Sequence, residues 1–206
     1  LADRIGDLEQ VGASHSPLRE ASGIGDDYFR FAFVRNPWAR LVSWYSMIRD
    51  AADYRWYDPY LTISSRRRAW IREHRRQIQT NKLWRYVTAT CSSFDGFVRD
   101  CTDEVEVFDG VFYSLTRNQV DYLTDESGAI AVDFIGRAER FTEDAERLFS
   151  LLDLEIPEIP TVNASDHTHY SHYYTPETAA IVRRRFEPDI EAFGYEFSSA
   201  DAPVST

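Results

Sequence analysis

The chain has 206 residues, 43% of them hydrophobic and 15% aromatic, which is enough to bury one sizeable core and makes a single domain the expectation. Its 34 acidic and 23 basic residues set a formal net charge of −11, which argues against non-specific nucleic-acid binding by the molecule as a whole. No apolar stretch reaches membrane-spanning length, and two cysteines without Cys-x-x-Cys spacing, Cys91 and Cys101, favour a reduced compartment and leave room for at most one isolated disulfide.

In chain order, the start LADRIGDLEQ has neither a charged leader nor an apolar one. Residues 28–34 form the first predicted strand, a run of aromatics and a β-branched residue without a breaker. Asn36 is a good helix N-cap and Pro37 preorganises a first turn, so a helix is predicted over 37–48. Its Trp38, Leu41, Val42, Tyr45 and Ile48 fall on one apolar stripe, and Ala39, Ser43 and Ser46 lie elsewhere. A second helix is predicted over roughly 66–87. Residues 105–115 are β-rich with an interruption at Asp109-Gly110, and 130–135 make a third strand. Helices follow at 143–152 and 176–193, the latter capped by Thr175, begun by Pro176 and ended by Gly194. Strands alternating with helices predict an α/β layer fold with a mainly parallel sheet.

This order puts Arg35 at the carboxyl end of a strand beside a helix amino terminus, where open α/β sheets bind anionic ligands. A phosphate can be held there by the Arg35 guanidinium and the Ser43 hydroxyl together. From geometry alone a plainer arrangement is also open and takes precedence, in which Arg35 pairs with a nearby carboxylate and Ser43 fills space.

The run F-x-F-V followed by R-N-P-W-x-R-L-V-S-x-Y resembles the 3′-phosphate-binding motif of the carbohydrate sulfotransferase superfamily. Further segments resemble that superfamily in the same order: N-Q-V-D-Y-L at 118–123, V-D-F-I-G-R-A-E at 132–139, N-A-S-D-H at 163–167 and D-I-E-A-F-G-Y-E-F at 189–197. The resemblance covers most of 15–197 and implies a P-loop-NTPase-like, three-layer α/β fold with a mainly parallel central sheet. It implies transfer of a sulfuryl group from 3′-phosphoadenosine 5′-phosphosulfate to a hydroxyl acceptor, a carbohydrate first of all, leaving 3′-phosphoadenosine 5′-phosphate. Arg35 and Ser43 would bind the 3′-phosphate. Arg137, after a strand in Gly136-Arg137-Ala138-Glu139, would lie near this donor, with Glu139 anchoring the turn. His15, placed before the Arg35 strand as in uronyl 2-O-sulfotransferases, would be the catalytic base, a task that suits a neutral imidazole. His167 and Tyr170 would face the acceptor. His167, His169 and His172 also have a spacing a metal can use, but the family account needs no metal.

Members of the superfamily hold the 5′-phosphosulfate with a loop such as P-K-T-G/A-G-T/S, and no such loop occurs here; the single lysine, Lys82, stands in T-N-K-L-W. The expectation is a single domain over 1–206 that is incomplete at its amino terminus, with a further β-loop-α unit before Leu1 and a family-variable helical insertion at 50–93. The competing expectation is an inactive relative that keeps only the 3′-phosphate pocket. Residues 66–85 carry eight basic side chains and only Glu73 as an acid, which reads either as a solvated face or as a surface that recruits an acidic polysaccharide. A polyanion-binding module is the remaining alternative. Few cysteines and no visible leader point to a bacterial cytoplasm, although a Golgi-lumen enzyme stripped of its anchor would read the same way.

Overall fold

The computed structural model describes residues 16–20, 28–53, 76, 80, 82–100, 106–108, 111–112, 117–155 and 168–198. Strand β1 (Phe31–Val34) pairs in parallel with β4 (Phe134–Arg137), Val34 opposite Arg137, so both strands end at one edge. Strands β2 (Glu106–Phe108) and β3 (Val111–Phe112) form a separate antiparallel pair around the expected Asp109-Gly110 interruption, which itself lies outside the described residues. Among the described residues the expected parallel sheet is thus two strands wide. Mixed helices and a small parallel sheet fit an α/β fold.

Helix α1 (Pro37–Asp53) begins as the sequence predicts, with Asn36 Oδ1 accepting from the amides of Trp38 (3.0 Å) and Ala39 (3.3 Å). It runs five residues past Ile48, because the apolar stripe stops there while the helix-favouring Ala51 and Ala52 continue. Trp38, Leu41, Val42 and Ile48 are buried as expected; Tyr45 is half-buried against the Phe94 and Phe97 rings. Around α1 pack α2 (Lys82–Thr90), α3 (Phe94–Asp100) and α6 (Pro176–Arg185), with Trp84, Val87, Phe97, Val98, Val182 and Phe186 in one core. Each fully buried large side chain contributes about 1.5–3 kcal/mol. The end of the expected 50–93 insertion therefore contributes to the main core, and Cys91 is a buried free thiol within it. Most of 54–81 lies outside the described residues.

Two boundaries differ from expectation for local reasons. The third strand starts at Phe134, not at 130, because Asp125 Oδ1 accepts from Ser127 N (2.8 Å) and Ala129 N (3.1 Å). That turn, with Gly128 at φ 85°, leaves Ile130 only a single bridge to Thr124. The helix predicted over 176–193 is two helices, α6 and α7 (Glu187–Phe193), joined at Phe186. Pro188 accounts for the break, since it has no N–H to donate to the Arg184 carbonyl and its ring crowds that carbonyl, whereas a proline in the first turn of a new helix is tolerated. The Thr175 cap and left-handed Gly194 are as predicted. Short helices α4 (Val120–Leu123) and α5 (Phe141–Leu151) flank β4 in sequence; α5 answers to the helix predicted at 143–152. Among the described residues no helix is long and apolar enough to cross a membrane.

Ala32 and Val34 pack toward Leu123, Phe193 and Tyr195, and Phe33 lies on the opposite face with its ring 4.8 Å from that of Phe141. A Cβ added at Gly136 would clash with the edge of the Phe33 ring. Gly136→Ala should therefore cost about 1–3 kcal/mol of stability. A urea unfolding midpoint lower than wild type is the expected result, and an unchanged midpoint would show that Phe33 swings away freely.

Candidate functional site

Arg35 is the first residue beyond β1, and its backbone is held on both sides by one side chain. Gln119 Oε1 accepts from Arg35 N at 2.9 Å, and Gln119 Nε2 donates to the Arg35 carbonyl at 2.8 Å. The same Nε2 donates to Asp189 Oδ2 at 3.2 Å, while Asp189 Oδ1 accepts from Val120 N at 2.8 Å. Asp189 is 0% exposed, and Arg40 reaches to 4.0 Å of it while donating to the Arg117 carbonyl at 3.1 Å. Burial pushes the Asp189 carboxyl above its ordinary value against the pull of its amide donors and Arg40. Burial likewise lowers Arg40, opposed by the Asp189 charge.

The Arg35 guanidinium itself is half-buried and donates no hydrogen bond among the described residues. Its pKa is lowered by burial, offset in part by the charge of Glu139 and by Tyr195. Glu139 is not a partner in an ion pair with it: Oε1 accepts from Asn36 N at 2.7 Å and Oε2 from the Tyr195 hydroxyl at 3.3 Å. Glu139 thus anchors the turn before α1. Ser43 stands seven residues after Asn36, on the same helix face and about 10 Å along the axis. It is half-buried, and its hydroxyl has no partner among the described residues. A partly desolvated cation at a strand-to-helix junction can bind an anion, and a guanidinium fork suits a phosphate; the Ser43 hydroxyl lies two helical turns further on.

Beside this junction lies a depression of ≈ 330 Å³ lined by Asn36, Arg137, Glu139, Arg140, Gly194, Tyr195 and Glu196. The structure places Arg137 on its wall but engages its guanidinium, which donates to the Phe193 carbonyl at 2.5 Å and lies 4.9 Å from the Tyr195 ring centroid.

The chain matches the sulfotransferase family over residues 9–196, a span that includes the strand, the clamp and the depression. It belongs to that family. No curated protein and no solved structure matches it.

In this sulfotransferase the remaining expected site residues fall apart. His15 and His167 lie outside the described residues. Tyr170 lies in the core; its hydroxyl accepts from Ser198 N at 2.9 Å and sits 2.9 Å from Ser198 Oγ. Those contacts hold the hydroxyl against the segment after α7. His169 Nδ1 is 2.9 Å from Ser171 Oγ, and His172 is exposed. Among the described residues no three His, Cys, Asp or Glu side chains are grouped to hold a metal.

Gln119, Arg40 and Asp189 are the site residues that sequence reasoning gave no role. One signal was present: Phe186, Ile190 and Phe193 follow the spacing of a buried helix face, and Asp189 puts a carboxylate on it. A charge in that position needs buried partners.

Asp144 organises the sulfotransferase's other wall, accepting from Arg137 N (2.7 Å), Arg140 Nε (3.1 Å) and Arg147 Nη1 (3.2 Å). Burial opposes its charge, but these donors outweigh it and hold its pKa below the ordinary value. A depressed folded value means that the contribution is full above the unfolded pKa of about 3.9 and is lost as pH falls through the folded one. The side chains of Arg140 and Arg147 are 51% and 66% exposed, so solvent screens their share and the amide bond carries most of it. Asp144→Asn should lower stability at neutral pH by about 1–2 kcal/mol and flatten its decline below about pH 4. Denaturant titrations across pH would contradict this if both proteins fell in parallel.

Proposed function

We propose that this sulfotransferase moves a sulfuryl group from 3′-phosphoadenosine 5′-phosphosulfate to a hydroxyl, and that the acceptor is a carbohydrate. The observation that carries the reading is the Arg35 guanidinium, half-buried and without a hydrogen-bond partner among the described residues, on a backbone clamped from both sides. Desolvating a cation that donates no hydrogen bond is costly, the Glu139 charge offsets only part of that cost, and a phosphate ligand offsets more. Ser43 adds a donor on the face of α1 shared with Asn36. Arg35 and Ser43 would hold the 3′-phosphate and so orient the far end of the donor, while Arg137 would border it through the depression.

The bound donor supplies an electrophilic sulfur and a phosphate leaving group. His15 takes the hydroxyl proton as the acceptor oxygen bonds to sulfur and the bond from sulfur to the 5′-phosphate oxygen breaks. His167 and Tyr170 belong to the segment proposed to face the acceptor. The fold proposed around these residues is the P-loop-like, three-layer one. A carbohydrate acceptor is supported by the resemblance of the R-N-P-W-x-R-L-V-S-x-Y run to carbohydrate sulfotransferases, which bears on the acceptor only through the family, and by the basic stretch 66–85, which suits an acidic polysaccharide.

Calorimetric titration with adenosine 3′,5′-bisphosphate and with adenosine 5′-monophosphate tests the donor assignment. Tighter binding of the bisphosphate is expected, and equal binding would remove the 3′-phosphate from the reading.

A further inference from the structure

We propose that Gln119, fixed by Asp189, is a positioning residue that aims the Arg35 guanidinium at the donor's 3′-phosphate. The inference rests on the donor reading above. Parallel pairing of β1 with β4 ends at Val34 opposite Arg137, so Arg35 is the first residue whose backbone the sheet no longer holds. The Gln119 carboxamide takes over, accepting from the Arg35 amide and donating to the Arg35 carbonyl, as a neighbouring strand would. Both backbone dihedrals of Arg35 are thereby fixed where its side chain departs.

Gln119 is itself determined by its surroundings. Its oxygen accepts from Arg35, and its two N–H groups go to the Arg35 carbonyl and to Asp189 Oδ2, so a flipped amide would lose all three bonds. Asp189 Oδ1 accepts from Val120 N, which fixes the backbone that carries Gln119. Arg40 offsets the buried Asp189 charge and donates to the Arg117 carbonyl, two residues before Gln119. The second arginine of Arg-Asn-Pro-Trp-Ala-Arg thus supports the first across the chain. None of these groups is proposed to touch the donor. Their effect is on orientation, to which charged contacts are sensitive because displacement by about 1 Å weakens them strongly.

The test is a double-mutant cycle read by calorimetry, with adenosine 3′,5′-bisphosphate and adenosine 5′-monophosphate as probes. Gln119→Ala should weaken the bisphosphate by about fivefold to thirtyfold and leave the monophosphate nearly unchanged. In an Arg35→Ala background Gln119→Ala should add nothing, because the group it aims is gone. Asp189→Asn, which sets an amide donor against Gln119 Nε2 without changing shape, should act in the same direction and covers the case in which Gln119→Ala fails to fold. Equal losses for both probes, or the same loss with and without Arg35, would reduce Gln119 to a general structural role and overturn the proposal. If Arg35→Ala alone spares the preference for the bisphosphate, the donor reading has failed, and the positioning proposal fails with it.

Discussion

Arg35→Ala is expected to cost the sulfotransferase about tenfold to a hundredfold in affinity for adenosine 3′,5′-bisphosphate and to leave adenosine 5′-monophosphate almost untouched. A hydrogen bond to a charged group is worth about 1.5–3 kcal/mol, and each 1.4 kcal/mol is about a factor of ten. The upper part of that range is favoured because the guanidinium is half-buried and its lowered pKa reflects desolvation that a bound anion would offset. Fold stability should change little, since no hydrogen bond of the Arg35 side chain among the described residues is lost. Removing the cation beside Glu139 should leave that carboxylate in place, because Asn36 N and the Tyr195 hydroxyl hold it. Calorimetry on both nucleotides, with a denaturant midpoint as control, checks the expectation. Parallel losses for the two would mean that Arg35 acts elsewhere. Ser43→Ala should act in the same direction and more weakly, because a hydroxyl contributes one neutral donor.

His15→Ala should lower kcat by about a hundredfold to ten-thousandfold, with donor affinity nearly intact. The assignment rests on the place of His15 ahead of the Arg35 strand, and the residue lies outside those the structure describes. Proton transfer from the acceptor occurs only after both substrates are bound, so the loss belongs in kcat. The wild-type rate should fall on the acid side as the base gains a proton. The residual activity of the variant should lack that limb. Near-normal kcat would exclude His15 and turn attention to His167, His169 and His172, each through its own alanine variant.

What the sequence made legible was local. The strand ending at Val34, the Asn36 cap, the buried stripe of α1, and the Thr175 and Gly194 boundaries all follow from residues within a turn of one another. The break at Phe186 was equally local but hidden, because the apolar spacing continues across it while Pro188 interrupts the backbone. Arg35 and Ser43 stand out for a different reason, the resemblance of their run to the 3′-phosphate-binding motif of the carbohydrate sulfotransferases, since spacing alone leaves a carboxylate pairing open. The support beneath them was not legible. Gln119 is 84 residues from Arg35 and Asp189 is 70 from Gln119, separations at which only tertiary packing decides who meets whom. Tyr170 shows the converse, because its place beside Ser198 depends on where the segment after α7 returns.

The central claim is sulfuryl transfer, and the most direct measurement is to incubate the protein with 3′-phosphoadenosine 5′-phosphosulfate carrying radiolabelled sulfate and a panel of hydroxyl acceptors led by acidic polysaccharides. Label should pass to a carbohydrate with matching release of adenosine 3′,5′-bisphosphate, and Arg35→Ala should slow both together. Tight binding of the bisphosphate with no label on any acceptor and no release of product would contradict the account and describe a protein that keeps the 3′-phosphate pocket without the transfer.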